Sequence, residues 1–288
     1  MRTTIKKSGV VLAVVASVFS ACQSSVPNQV LTKPAPSNEP APAALRPALW
    51  PYRPSTQRQS FVIDQRAVLV IRTDTIARTD SLSSHSELAF AATAGGSVSG
   101  NVSAFAVRAN VQNSVAPAGL ALPFPFRGDF STRGTQLEFL TPRDAAPCAS
   151  NPLSIVQSLR DLWFRTPDTL RVGSAWSDSA SYVICRDGIP LRASVQRSFR
   201  VTRATERDGR LVLDVVRTAR TSLEGAGTQF GETVTISGTG GGELTYQLDP
   251  AAGEIVSASG NAVLDFSLRG RLRSQAVHQT AEIRIGRS

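Results

Sequence analysis

Acid–base chemistry in this sequence would rest on four aspartates. They lie near one another in the chain, at Asp161, Asp168, Asp178 and Asp187. Two carboxylates held about 5 to 10 Å apart can cleave glycosidic bonds. Each aspartate, however, lies beside a predicted helix surface or a turn signal, where aspartate commonly accepts hydrogen bonds from the backbone. Backbone capping is therefore the favoured interpretation, and catalysis is the alternative.

The two histidines, His85 and His278, are further candidates for a general base or a metal ligand. Each lies in a polar segment with strand character, where an exposed, non-catalytic histidine is the commoner case. The three cysteines are isolated in the chain, and no CxxC or HxxxH pair occurs. The sequence therefore predicts neither a catalytic histidine nor a metal site.

Two glycine-rich strings have the composition of catalytic motifs without their key residues. The string "GSVSG" at 96–100 has Val98 where a nucleophile elbow needs its serine. The string "SGTGGGEL" at 237–244 lacks the lysine of a phosphate-binding loop and lies between two predicted strands. We therefore predict that the protein is not an enzyme and has no cofactor.

A further candidate for chemistry is Cys22, which follows an apolar run near the N-terminus. Arg2, Lys6 and Lys7 precede this run, which extends over residues 9–19. The order of basic, apolar and small residues is that of a secretory signal. The run is shorter than the roughly 20 residues that a spanning helix needs, so a permanent transmembrane anchor is not expected.

The string "FSAC", residues 19–22, resembles the end of a bacterial lipoprotein signal, with Phe19 in the position that leucine usually takes. The resemblance implies cleavage after Ala21 and acylation of both the thiol and the new amine of Cys22. Several acyl chains would hold the protein stably on membrane lipid. Gln23, rather than aspartate, implies the outer membrane, on the side that faces the periplasm. The alternative is an ordinary secretory signal with an incidental cysteine.

The remaining cysteines, Cys148 and Cys185, form an even pair in a chain that is predicted to be exported. Export places them in an oxidising compartment, where a disulfide is the expected outcome. Such a bond would close a loop of nearly forty residues and stabilise the fold by about 3 to 4 kcal/mol. Two buried free thiols are the alternative.

The charge of the chain is positive, and the excess is carried by arginine. The formal net charge is +9, and the signal contains three of the 31 basic residues and no acid. A positive envelope protein could meet lipid phosphates or another anionic polymer. Arg192 and Arg200, on the polar side of a predicted strand, are the candidate face for such a partner. Export argues against a nucleic-acid partner.

A proline-rich segment separates the signal from the folded region. We predict a signal peptide at 1–21, the lipidated cysteine and an extended tether at 22–57, and a single β-rich domain at 58–288. Trp50 and Tyr52 stand out within the tether, because aromatic side chains either dock onto a domain or lie at a lipid surface. Docking is the favoured interpretation.

Alternation of apolar and polar residues dominates the predicted domain, which is therefore mainly β. In the strand after Pro190 the apolar members are Leu191, Ala193, Val195, Phe199 and Val201. In the last strand the residues predicted to face inward are Val277, Ala281, Ile283 and Ile285. Turns are predicted at the "RDG" of 207–209, at Gly240–Gly242 and within "DPAAGE" of 249–254. Successive strands with short turns predict a curved antiparallel sheet, or half-barrel, with meander topology.

One segment, at about 152–165, has helical rather than strand periodicity. Pro152 suits the first turn, and apolar residues recur at helical spacing up to Trp163. We predict one amphipathic helix that packs against the concave face of the sheet. Trp176, in the string "VGSAWSDSASYVIC", is favoured as a core anchor; the alternative is that it lines a ligand pocket together with Trp163.

This combination of features resembles the LolA/LolB-like half-barrel of periplasmic lipoprotein carriers, over roughly residues 60–288 and as a pattern only. The resemblance implies an apolar concavity that binds acyl chains, but it transfers no individual residue. The sequence thus predicts a non-catalytic envelope lipoprotein that binds or carries a hydrophobic or amphiphilic ligand. The alternative is a structural or assembly partner of an outer-membrane complex or of an anionic envelope polymer.

Overall fold

The alternating segments form strands in this computed structural model. It describes residues 48–93, 96–109, 122–131, 134–139, 161–162, 164–186, 189–229, 231–271 and 273–288. The predicted signal peptide, Cys22, Cys148, Trp163 and Asp187 lie outside these residues. No helix among the described residues has the length and hydropathy needed to span a lipid bilayer.

The described part of the chain contains thirteen strands, most of them long. Their bounds are β1 (Trp50–Pro51), β2 (Gln59–Thr73), β3 (Ala77–Ala92), β4 (Ser97–Ala109), β5 (Phe124–Ser131), β6 (Gly134–Phe139), β7 (Thr169–Leu170), β8 (Ala175–Arg186), β9 (Ile189–Arg207), β10 (Arg210–Gln229), β11 (Glu232–Asp249), β12 (Glu254–Arg269) and β13 (Ser274–Arg287). The prediction of a mainly β protein is confirmed.

Eleven of these strands form one antiparallel sheet. The order is β6-β5-β4-β3-β2-β13-β12-β11-β10-β9-β8, so two meanders join where the last strand, β13, pairs with β2. Strands β6 and β8 are the two edges, and no strand pairing joins them among the residues that the structure describes. Strands β1 and β7 pair separately. The predicted antiparallel meander is therefore present, and its two halves are joined by a long-range pairing.

The turns flanking β10 and β12 follow the predicted chemistry. Asp208 and Gly209 both have positive φ, at 51° and 71°, which is the backbone that a tight hairpin requires between β9 and β10. In the connection after β11, Asp249 Oδ1 accepts hydrogen bonds from the amides of Ala251 and Ala252 at 3.0 and 2.9 Å. Gly253 completes that turn with φ 69°.

The predicted turn at Gly240–Gly242 is wrong, because these residues lie in the middle of the continuous strand β11. A Cβ atom on Gly240 would lie 2.3 Å from the carbonyl oxygen of Val263, and one on Gly242 would lie 2.5 Å from that of Asn261. Glycine is needed here because the backbone of β12 approaches so closely. Such glycines allow a sheet to bend.

The inward face of the sheet carries two apolar clusters. The first core is built around large aromatic side chains, including Phe61, Phe199 and Tyr246. The second core lies further along the same strands and is built around Leu191, Phe266 and neighbouring aliphatic residues. The inward side chains predicted for β9 and β13 are confirmed, since they alternate with exposed residues.

The aromatic residues that precede the sheet pack onto it. Trp50 pairs with Leu170 through β1 and β7. The Tyr52 amide donates a hydrogen bond to the Asp168 carbonyl at 2.8 Å, and the Tyr52 side chain is part of the first core. The predicted docking of Trp50 and Tyr52 is therefore confirmed.

The predicted helix lies mostly outside the described residues, but the end of its segment is visible. Asp161 has helical backbone, and the side chains of Leu162 and Phe164 are buried in the first core. We call Asp161–Leu162 together with Phe164 the covering segment, because these residues lie on the inward face of the sheet. The expectation that this part of the chain packs on the concave face is confirmed for these residues.

Candidate ligand-binding cavity

A cavity of about 100 Å³ lies on the inward face of the sheet, beside the covering segment. Small residues on five of the six consecutive strands from β13 to β8 leave this space empty, namely Ala180, Ala219, Gly242, Ala262 and Ala281. Bulky residues of the first and second cores flank them along the same strands. The cavity therefore exists because small inward residues interrupt a face that is otherwise filled by large ones.

Two arginines line the cavity, and each forms an ion pair with an aspartate. Arg197 on β9 is 4% exposed and lies directly opposite Asp178 on β8. Its Nε and Nη2 donate to Oδ1 and Oδ2 of Asp178, both at 2.6 Å. Because both residues belong to the sheet, this bidentate pair is fixed by strand register.

The second ion pair joins the sheet to the covering segment. Arg217 on β10 is 5% exposed, and its Nη1 donates to Oδ1 of Asp161. Within the described residues, Nε of Arg217 is buried and has no hydrogen-bond partner. Burial alone would lower the pKa of Arg217, but the charge of Asp161, its hydrogen bond and the neighbouring Tyr246 and Tyr182 together outweigh burial, and the pKa is raised. The cavity therefore contains a charged group with a buried donor that no described residue accepts.

Tyr246 holds Asp161 by a second contact. Its hydroxyl donates a hydrogen bond to the Asp161 carbonyl oxygen at 2.7 Å. Burial raises the pKa of Tyr246 well above its ordinary value, so the hydroxyl remains a donor. Tyr246 and Arg217 lie on adjacent strands, and both inward side chains meet the same residue of the covering segment.

Gln65 on β2 also lines the cavity and is 9% exposed. Its Oε1 atom is buried and accepts no hydrogen bond from the part of the chain that the structure describes. A buried polar atom without a partner costs free energy unless a water or a ligand satisfies it. Gln65 and Arg217 together therefore present an unsatisfied acceptor and an unsatisfied donor.

Trp176, which the sequence favours as a core anchor with a pocket position as the alternative, lies in an aromatic stack beside the cavity rather than among its lining residues. Its ring stacks on Phe199 with centroids 5.2 Å apart and an angle of 5° between the planes. Phe164 also stacks on the Phe199 ring, with ring centroids 4.8 Å apart. The stack attaches the covering segment to β8 and β9. Trp163, its predicted companion, lies outside the described residues.

A second cavity of about 40 Å³ lies on another side of the covering segment. Leu162 and Phe164 line it together with Tyr52, Phe90 and Ile255. Asp161, by contrast, lines the larger cavity. The covering segment thus borders two empty spaces on the inward face.

A larger and more open depression of about 760 Å³ involves strands β2 and β10–β13. Exposed polar side chains such as Ser237, Thr239 and His278 line much of it. Ser237 Oγ lies 3.3 Å from Ser267 Oγ. The cavity of about 100 Å³ is the stronger candidate site, because it contains buried charges and polar atoms that no described residue satisfies.

The other candidate residues from the sequence are not among the described residues that line this cavity. Arg192 and Arg200 are exposed on the outward face of β9, as the alternation predicts. The Asp168 carbonyl receives the Tyr52 amide. Cys185 lies in β8, but its side chain is outside the description, as is Cys148, so the disulfide stays a prediction. No group of three or more metal-binding side chains occurs among the residues described.

Both histidines are partly exposed, and each contacts an aspartate. His85 Nδ1 lies 2.8 Å from Asp64 Oδ1, and His278 Nδ1 lies 2.7 Å from Asp265 Oδ1. The hydrogen bond that the His85 ring donates to Asp64 raises the pKa of His85 above 6.5; burial opposes this shift, and Glu87 reinforces it. These positions are those of surface ion pairs.

The raised pKa of His85 predicts a small pH dependence of stability. Because the folded-state pKa exceeds the unfolded value, the His85–Asp64 pair stabilises the fold below about pH 6.5, and this stabilisation is lost as pH rises through the folded-state pKa. Solvent screening limits it to a few tenths of a kcal/mol. In an NMR titration, Asp64→Asn should lower the pKa of His85. An unchanged pKa of His85 would contradict the conclusion that Asp64 raises it.

Neither Arg197 nor Arg217 is among the site residues that the sequence predicts. Arg197 occupies the inward register of β9 between Val195 and Phe199, and Arg217 occupies that of β10 between Val215 and Ala219. A charged residue in the apolar register of an alternating strand was the signal that could have identified them.

The sequence matches no known protein-family model, and no curated protein is significantly similar to it.

Proposed function

We propose that this protein is a non-catalytic, lipid-anchored protein of the bacterial envelope that binds a hydrophobic or amphiphilic ligand on the inward face of its sheet. The observation that carries the proposal is the cavity beside the covering segment, which combines an apolar wall with unsatisfied polar atoms. Ligand sites commonly have this composition, with a few polar groups that orient the ligand in an apolar space.

The volume of the cavity limits what it holds in the present conformation. About 100 Å³ corresponds to roughly three water molecules, which is far less than a long acyl chain. An acyl chain therefore requires the space that Leu162 and Phe164 now occupy. Displacement of these two side chains would join the cavity of about 100 Å³ to the cavity of about 40 Å³, because the covering segment borders both. Each methylene buried there contributes about 0.8 kcal/mol, which offsets the lost contacts.

The purified mature protein tests this proposal in a displacement assay with a fluorescent acyl probe. We expect the wild-type protein to bind the probe, and Leu162→Ala with Phe164→Ala to bind it more tightly, because two side chains no longer compete for the apolar face. Val183→Ala is the control, since Val183 is 56% exposed. Circular dichroism should verify folding of each variant. Absence of probe binding in all three proteins would contradict the proposal.

The lipid anchor is supported by the resemblance of residues 19–22 to the lipoprotein signal. Cys22→Ser should move the protein from the membrane fraction to the soluble fraction, because no acyl chain is then attached. An unchanged distribution would contradict the anchor.

A second candidate function is supported by the exposure of Arg192 and Arg200 on β9. These side chains face away from the cavity and could contact an anionic polymer or a partner of an envelope complex. Recovery of one specific partner by crosslinking from these positions, without binding of any acyl probe, would favour this role over ligand binding.

A further inference from the structure

The two ion pairs at the cavity differ in what holds them together. Arg197 and Asp178 lie opposite each other on neighbouring strands of the sheet. Arg217 is also a sheet residue, but Asp161 belongs to the covering segment and immediately precedes Leu162. A displacement of Leu162 and Phe164 would therefore separate Arg217 from Asp161, while Arg197 would keep its partner.

That separation has a large electrostatic consequence for Arg217. Its guanidinium is 5% exposed and stays protonated, so the loss of Asp161 would leave a buried charge without a counterion. The Tyr246 hydroxyl would lose its acceptor at the same time, since that acceptor is the Asp161 carbonyl. A ligand that displaces the covering segment must therefore bring an acceptor, and a negatively charged group suits this place best.

We infer that the ligand is an anionic amphiphile, whose carboxylate or phosphate replaces Asp161 at Arg217 while its chain replaces Leu162 and Phe164. This inference rests on the proposed function. An oxyanion can accept from Arg217 Nη1, from the presently unpartnered Nε and from the Tyr246 hydroxyl. Gln65 lines the same space, and its amide can accept from a ligand hydroxyl or turn to donate to an oxyanion.

The charges at the cavity also argue against an anion that binds while Asp161 remains in place. Two arginines already face two aspartates there, so an additional anion would carry an uncompensated negative charge into a buried site. A neutral hydroxyl could satisfy Nε without displacing Asp161, and a free inorganic anion could bind without a chain. These alternatives can be distinguished by comparing an anionic amphiphile, a neutral amphiphile with the same chain, and a free inorganic anion.

The test uses isothermal titration calorimetry of the mature protein with hexadecyl phosphate, hexadecanol and inorganic phosphate, below the aggregation limit of each amphiphile. We expect hexadecyl phosphate to bind at least about tenfold more tightly than hexadecanol, as one charged hydrogen bond provides. Inorganic phosphate should show no binding. Equal affinity for the two amphiphiles, or binding of inorganic phosphate as tight as that of hexadecyl phosphate, would overturn the inference. Absence of all amphiphile binding would overturn the proposed function as well.

Paired variants assign the preference to Arg217. Arg217→Met with Asp161→Asn removes both charges of one pair, and Arg197→Met with Asp178→Asn does the same for the other, so neither variant leaves a single buried charge. The first should lose the tenfold preference while still binding hexadecanol, and the second should retain the preference. Circular dichroism should establish that each is folded; for a variant that is not, Arg217→Gln with Asp161→Asn and Arg197→Gln with Asp178→Asn replace the pair, with the same expected results. Loss of the preference in the Arg197 variant alone would overturn the assignment.

Discussion

Truncation of Phe199 to alanine should destabilise the protein by about 3 to 5 kcal/mol, which is typical for a fully buried aromatic residue. Phe199 is 2% exposed and lies between two stacked rings, Phe164 at 4.8 Å and Trp176 at 5.2 Å. The substitution removes one of the contacts that join the covering segment to the sheet. Urea unfolding followed by circular dichroism should therefore show a lower midpoint with an unchanged slope.

The control for Phe199 is Val68→Ala, which shortens a side chain that is 44% exposed on the outward face of β2. Its effect should stay within about 0.5 kcal/mol. A change below about 1 kcal/mol for Phe199→Ala would show that the aromatic stack does not contribute to stability as the packing implies. Trp176 fluorescence provides a local measurement, because removal of Phe199 leaves that ring without its stacking partner.

Removal of Asp178 should have an effect of similar size for an electrostatic reason. Asp178→Ala leaves Arg197 buried and charged without its bidentate partner. Breaking one side of a buried ion pair typically costs about 3 to 5 kcal/mol, whereas replacement of both partners by apolar residues is often neutral or stabilising. We therefore expect Asp178→Ala to be strongly destabilised, and Arg197→Met with Asp178→Leu to recover most of the loss.

The same unfolding measurements check this prediction, with Asp64→Ala as the control. The Asp64 side chain is 59% exposed and also contacts a basic residue, so it tests whether any lost surface contact has the same effect. Its substitution should cost less than about 1 kcal/mol. A double variant as unstable as Asp178→Ala would contradict the electrostatic explanation and would indicate that the pair is required for packing.

Parts of the candidate site could be found from the sequence, and parts could not. Asp161 and Asp178 were identified as acidic candidates, but their partners were not. Arg217 and Asp161 are separated by 56 residues, and alternation within a strand does not indicate which distant segment will cover it. The approach of the covering segment to β10 depends on packing of the whole inward face.

The glycines of β11 show why one local pattern was misread. A glycine run is favoured in turns because it tolerates unusual backbone, and it is equally required where another backbone approaches too closely for a Cβ atom. The sequence near Gly240 and Gly242 is compatible with both. In the structure, glycine is required at these positions because the backbone of β12 lies too close for a Cβ atom. That contact exists only in the assembled sheet.

The sequence by itself determined that this protein is mainly β, which side chains of β9 and β13 face inward and where the Asp208–Gly209 turn lies. These features are local, because strand side chains alternate with a period of two and positive φ restricts the residue type. Only the tertiary structure decided that Arg197 and Arg217 border one cavity and that Asp161 reaches Arg217. Those contacts join distant strands and the covering segment, and they depend on the pairing order of the sheet, which no local period encodes.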